Sequence, residues 1–339
     1  MALQGASCAA GSRIIRAHGK RTDDKSPTRK WKKRPIKKLI REKPIRNRTP
    51  ENKSPEQAEE QMTLAEITDE YLRALELVRR QPDLAYLSDL TSRHVAKFSF
   101  SSVGPMLGDE LPLDTEAVYR RIVVRRRGGY CFEQNGLLQA VLGELGFAVS
   151  LYLGRVIYNQ NNHPGLTHHI NLVETGGEQY VADVGFGPMG PRYPVSMSGE
   201  ESHEGFRVFR IAEARPGEFH MQTLKDGEFY SLYRFELHRY GQSDCEVGHF
   251  YSHKYPGATF VNHLVVSRIL TSEIHSLRNR EHWLITASGE QRHEIADGIQ
   301  LREVLDSHFG IRVDENEGHR LFARCAGPAH PAAAISSSA

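Results

Sequence analysis

Residues 167–184 read Thr-His-His-Ile-Asn-Leu-Val-Glu-Thr-Gly-Gly-Glu-Gln-Tyr-Val-Ala-Asp-Val. At the centre, Thr175-Gly176-Gly177-Glu178 has turn chemistry, because paired glycines reach backbone angles that other residues avoid. The flanks, Thr167–Glu174 and Gln179–Val184, are rich in β-branched and aromatic residues, so the stretch predicts two antiparallel strands. Folding that hairpin puts His168 opposite Asp183, to within a residue or two. An acid in an apolar strand is costly unless paired. The hairpin therefore predicts an antiparallel sheet and a His–Asp pair together.

Strand character extends outward from this point. Phe147–Tyr158 precedes the hairpin; Phe206–Ala212 follows it, and then Phe219–Lys225 and Glu228–Leu237 joined at Asp226-Gly227, a strong hairpin signal. Upstream the period changes to that of helices. Thr63-Leu64-Ala65-Glu66 reads as a capping box, and Leu64, Ile67, Tyr71, Leu75 and Val78 form one apolar stripe. A second helix is expected from Cys131, with Leu137, Leu138, Val141, Leu142 and Leu145 facing inward and Gly146 stopping it. Near the end, Trp283–Ala287 reads as a strand and Leu301–His308 as a helix. The order of helices, antiparallel strands and a small mixed segment gives an α+β fold class.

The chain has 339 residues, 39% hydrophobic and 25% charged, an ordinary globular composition. Its apolar runs fall short of the ~18 residues of a membrane-spanning helix. Four scattered cysteines (Cys8, Cys131, Cys245 and Cys325) fit neither a disulfide framework nor a zinc finger, and lead to a cytoplasmic expectation. The net charge of +2 hides a split: residues 1–60 hold 17 Lys and Arg against 7 Asp and Glu, while the rest is net acidic. Residues 1–61 therefore read as a disordered basic tail. A nucleic-acid arm and a mitochondrial-type presequence compete for that tail with an upstream extension or a tail of no function, which the abrupt onset of apolar periodicity after Met62 favours. Residues 326–339, rich in Ala, Ser and Pro, read as a second disordered tail.

Cys131 follows Arg127-Gly128-Gly129-Tyr130 at the expected start of a helix, where partial positive charge favours an anion such as a thiolate. Cysteine, a basic histidine (His168) and an orienting carboxylate (Asp183) are the parts of a nucleophilic triad. The plainer alternative, a structural His–Asp pair beside an unrelated buried cysteine, explains less of the pattern.

Arg127-Gly128-Gly129-Tyr130-Cys131-Phe132-Glu133-Gln134-Asn135-Gly136, then Thr167-His168, then Val181-Ala182-Asp183-Val184-Gly185-Phe186-Gly187, closely resemble the arylamine N-acetyltransferases in order and spacing, from about Met62 to about Val313. The resemblance implies a helical bundle (62–146) carrying the nucleophile, an antiparallel β-barrel (147–255) and a small α/β lid (256–325). It implies Cys131 as nucleophile, His168 as base and Asp183 as its orienter. Arg127, Gly128 and Gly129 would support the site, and Phe132, Phe186 and Gly187 would line the substrate pocket. The implied reaction moves an acetyl group from acetyl-CoA, a co-substrate and not a resident cofactor, to an arylamine or hydrazine. One departure stands out: Ser99-Phe100-Ser101-Ser102 replaces the family's usual Pro-Phe-Glu-Asn, which bears on the acceptor range. An amide synthase or a transglutaminase-like peptidase is the alternative with the same triad order.

Other motifs carry little. Gly185-Phe186-Gly187-Pro188-Met189-Gly190 fits GxGxxG, yet Pro188, Pro191 and Pro194 forbid the helix that would hold a pyrophosphate. His163, His168, His169, His249 and His253 show no recurring ligand spacing, so no metal is expected. Nucleic acid is an unlikely partner for the body of the chain, and no membrane partner is expected.

Overall fold

The computed structural model describes residues 61–325. The expected tails, 1–61 (Gln61 apart) and 326–339, lie outside the described residues. Helix α1 (Leu64–Ala74) opens on the expected capping box, with the Thr63 hydroxyl accepting from the Glu66 N–H at 3.3 Å and the Glu66 carboxylate accepting from the Thr63 N–H at 2.8 Å. It ends before the apolar stripe does. Glu76 turns left-handed at φ 57°, and the Leu77 N–H bonds back to the Leu72 carbonyl, a capping turn that leaves Val78 71% exposed.

Helix α2 (Leu84–Lys97), capped by Asp83, leads to strand β1 (Phe100–Ser101), α3 (Val103–Leu107) and α4 (Thr115–Tyr119). One π turn, Arg120–Val124, follows before α5 (Cys131–Glu144). Tyr71, Leu87, Leu90, Ile122, Leu138 and Val141 share one core between these helices. Each fully buried leucine there contributes about 1.5–3 kcal/mol. Gly146, at φ 87°, terminates α5 as expected.

Eight strands then form one antiparallel sheet: β2 (Ala148–Val156), β3 (His168–Thr175), β4 (Glu178–Ala182), β5 (Val195–Ser196), β6 (Ser202–Glu204), β7 (Arg207–Arg215), β8 (Glu218–Lys225) and β9 (Glu228–Glu236). Their order is β5-β4-β3-β2-β9-β8-β7-β6. The sheet curls into a nearly closed barrel, since Val195 of β5 and Phe209 and Ile211 of β7 share one core despite the strands between them. Both glycine-bearing hairpins turn as the sequence predicts. Gly176 and Gly177 sit at φ 64° and 82°, and Asp226 and Gly227 at 52° and 81°.

Helices α6 (Gln242–Lys254) and α7 (Thr259–Asn262) lead into a second sheet of β10 (Val265–Ile269), β11 (Glu273–Arg278), β12 (Glu281–Thr286) and β13 (Gly289–Glu294). Helices α8 (Gly298–Ser307) and α9 (Glu315–Arg324) complete the described chain. The sequence pattern did not foresee that β1 is the edge strand of this second sheet, with Phe100 opposite Ser267. Two residues are too short to carry a period. Among the described residues no helix is long and apolar enough to cross a membrane.

Candidate active site

The loop before α5 is held by its backbone. Gly128 takes φ 66°, and a Cβ there would stand 2.6 Å from both the Ser99 carbonyl oxygen and the Ser101 Cβ. A Cβ on Gly129 would meet the Glu133 Cβ at 2.9 Å. Buried Glu133 reaches back to accept from the Tyr130 N–H at 3.1 Å and is neutralised by Arg121. Arg127 forms a fork of two bonds, 2.6 and 2.7 Å, with the Glu317 carboxylate, and donates to the Arg312 carbonyl at 3.0 Å. The loop is thereby tied to α9, and Cys131 becomes the first residue of α5, 3% exposed, with its thiol 3.4 Å from the Thr167 carbonyl.

His168 and Asp183 are bonded Nε2 to Oδ2 at 2.7 Å, with both side chains buried. Asp183 is not on the strand as expected: β4 ends at Ala182, and the carboxylate turns to accept the Gly185 N–H at 2.9 Å. With Nε2 committed to Asp183, Nδ1 is the ring nitrogen left for the Cys131 thiol. Burial opposes charge on His168, but the Asp183 carboxylate, its hydrogen bond and the Cys131 sulfur overcome this and push the imidazole up to about 10. Burial likewise opposes charge on Asp183, yet the His168 charge and the bonds from His168, Asn135 and Gly185 hold the carboxyl below its ordinary value.

His169 points to the other face. Its Nε2 bonds the Asn171 side-chain oxygen at 3.0 Å, and burial pushes it down to about 4, so it is neutral. Burial pushes the Cys245 thiol up to about 12 and the Cys325 thiol to about 11, which keeps both protonated.

Phe186 meets the His168 ring edge-on, centroids 5.2 Å apart, and Gly187 adopts φ 93°, where an added Cβ would stand 3.8 Å from the Phe100 ring. Phe132, expected to line the same pocket, is 2% exposed and packed on Tyr130, His169 and His249, and a Cβ added to Gly248 of α6 would stand 2.7 Å from its ring. A ring at the second position of a helix points back toward the helix start. A cavity of 290 Å³ bordered by Lys97, Ser99, Gly128, Arg268 and Ile311 touches none of Cys131, His168 and Asp183.

The divergent segment Ser99–Ser102 is a seam. The Ser99 hydroxyl donates to the Phe309 carbonyl at 2.6 Å, and the Ser102 hydroxyl donates to the His263 carbonyl at 2.9 Å while accepting the Val265 N–H at 2.8 Å.

Sequence reasoning missed three things. Asn135, one turn beyond Cys131, donates to Asp183 Oδ1 at 2.8 Å and to the His169 carbonyl at 2.7 Å, and accepts the Val184 N–H at 2.9 Å. A buried chain runs from Tyr71 through His94 to Gln134 in two bonds of 2.7 Å, and Gln134 donates to the Ser99 carbonyl at 2.7 Å. Gln134 and Asn135 are adjacent polar residues in a helix pattern, and nothing in the chain marks them as buried before other elements pack on α5. The third is an imidazole cluster of His275 and His282 on the second sheet with His308 at the end of α8.

A sequence profile of the N-acetyltransferase family matches residues 83–318. The arylamine N-acetyltransferase of Mycolicibacterium smegmatis is 33% identical over 260 residues, 73% of this chain and 92% of the relative. That of Escherichia coli K12 is 33% identical over 239 residues, 68% and 83% of the two chains. The solved structure of Mycobacterium marinum arylamine N-acetyltransferase in complex with CoA aligns with a TM-score of 0.72 at 30% identity, covering 76% of this chain and 98% of that one. The α+β fold and these matches define an acyltransferase enzyme. The chain belongs to the arylamine N-acetyltransferase family.

Proposed function

We propose that the protein transfers an acetyl group from acetyl-CoA to the nitrogen of an arylamine or hydrazine through an acetyl-Cys131 intermediate. The observation that carries this reading is the convergence of Cys131, at the first turn of α5, with the bonded pair His168–Asp183. A pair that raises the proton affinity of His168 makes its ring the resting place for the thiol proton.

The steps balance. The Cys131 thiolate attacks the acetyl carbonyl, the bond from carbonyl carbon to coenzyme A sulfur breaks, and His168 gives its proton to the departing thiolate. Thioester exchange is nearly isoenergetic, so the acyl group is stored without loss. A neutral amine then attacks the acetyl-Cys carbonyl, His168 takes the amine proton, and the Cys131 thiolate leaves. N–H groups at the start of α5 face the developing oxyanion. Weakly basic aromatic amines suit the second step because they are unprotonated at neutral pH. Phe186, against the His168 ring, is the proposed wall for the acceptor, and Arg127, Gly128 and Gly129 hold the loop. We retain 62–146, 147–255 and 256–325 as the domain division and the cytoplasm as the site of action.

Intact mass spectrometry after incubation with acetyl-CoA tests the reading. One acetyl adduct on Cys131, lost on adding an arylamine, is expected. Undiminished turnover in Cys131→Ala would refute it.

A further inference from the structure

On the second sheet, His275 of β11 and His282 of β12 lie diagonally on one face, because Leu277 is the ladder partner of His282. His308, at the end of α8, closes over them. Its ring centroid is 4.8 Å from His275 and 4.7 Å from His282, and the Phe309 ring packs edge-on against both. His275 and His282 are buried, and one ring nitrogen from each of the three histidines falls within 4.8 Å of the others.

We propose that His275, His282 and His308 form a binding site for a divalent transition-metal ion of the zinc class, which staples α8 to the sheet. The spacing carries this. A tetrahedral zinc with bonds of about 2.0–2.1 Å holds neighbouring ligand nitrogens about 3.3 Å apart. His275 Nδ1 and His282 Nε2 already stand 3.1 Å apart, so only His308 has to close in.

A second observation points the same way. Glu273 Oε1 lies 3.2 Å from His275 Nε2. That bond places the proton of His275 on Nε2 and leaves the Nδ1 lone pair aimed at the cluster, the carboxylate–histidine arrangement that orients metal ligands. Arg268, the ladder partner of His275, would repel a cation, but its guanidinium is drawn onto the carbonyls of Ala96 and His308. His293, the ladder partner of His282, is exposed and leaves that edge open to arriving ions. Imidazoles of this kind, with no thiolate, suit Zn²⁺, Ni²⁺ or Cu²⁺ more than Mg²⁺ or Ca²⁺.

The test uses the full chain with Cys131→Ala, because the Cys131 thiol and His168 are competing ligands, and it does not depend on the acetyl-transfer reading. Metal-free protein is titrated with Zn²⁺ against a chromophoric chelator, and with Co²⁺ for the visible bands of a tetrahedral nitrogen site. One equivalent should bind. Glu273→Gln should weaken binding about 10–100-fold, and His282→Gln and His308→Gln should weaken it more. Zn²⁺ should raise the melting temperature of the Cys131→Ala protein and leave that of His308→Gln unchanged. Circular dichroism without metal shows whether each variant folds, and half-buried His308 at a helix end serves if His282→Gln does not. No binding, or binding indifferent to His282→Gln, His308→Gln and Glu273→Gln, would overturn the proposal and leave a hydrogen-bonded imidazole stack.

Discussion

Asn135 and Asp183 are joined Nδ2 to Oδ1 at 2.8 Å, so the helix that begins with Cys131 also holds the carboxylate that orients His168. One rigid element thus sets both ends of the proposed triad. Asn135→Ala removes the donor to Asp183 and to the His169 carbonyl and the acceptor for the Val184 N–H. Buried groups left without partners cost about 1–3 kcal/mol. Urea denaturation should show that loss. The pH profile of acylation should shift as well, since Asp183 loses a bond that favours its charged form; an unshifted profile would make Asn135 purely structural.

His168→Gln should abolish the burst of coenzyme A release in single-turnover mixing with acetyl-CoA, because the thiol loses its proton acceptor. His169→Gln should retain it, because His169 points to the opposite face of β3 from His168 and bonds Asn171, two residues on. A dead His169→Gln beside an active His168→Gln would reverse the assignment.

The His168–Asp183 pair also predicts a pH dependence of stability. His168 is held up to about 10 against an ordinary 6.5, so its contribution is complete below about pH 6.5 and fades as pH rises towards 10. Asp183 is held below 3.8, so its contribution is complete above that pH and is lost only as pH falls through the lowered value. The destabilisation caused by Asp183→Asn should therefore be greatest between about pH 4 and 6.5 and smaller near about pH 9. Urea midpoints of both proteins across that range check the sign, and a gap that widens toward alkaline pH contradicts it.

Gly185 follows the carboxylate turn, and a Cβ added to it would stand 2.7 Å from the Cys131 Cα and 2.9 Å from the Asn135 amide nitrogen. A backbone atom has nowhere to go. Gly185→Ala should cost about 1–3 kcal/mol by overpacking and should slow acylation by displacing the start of α5. Melting temperature and burst rate measure the two effects separately.

Much of this was legible because strand and helix periods are local. Turn glycines and alternating strands placed His168 beside Asp183, and the glycines before Cys131 marked a helix start. Asn135 was not legible as a clamp, because an asparagine in a helix pattern looks like a surface residue until β3 is packed against it. The imidazoles of His275, His282 and His308 meet through a diagonal register and the stopping point of α8, and neither leaves a spacing rule in the chain. The stripe through Val78 over-ran α1 because periodicity continues past a capping turn that only the left-handed backbone at Glu76 reveals.

The fork from Arg127 to Glu317 spans 190 residues, and the bond from Ser99 to Phe309 spans 210. Contacts this distant form late, since the intervening chain must close first. On the ribosome, the helices around Tyr71 and Leu138 can condense while the rest is still being made, but the loop before Cys131 lacks its outer buttress until α9 emerges. Cys131 is thus fixed in place only after α9 has been made.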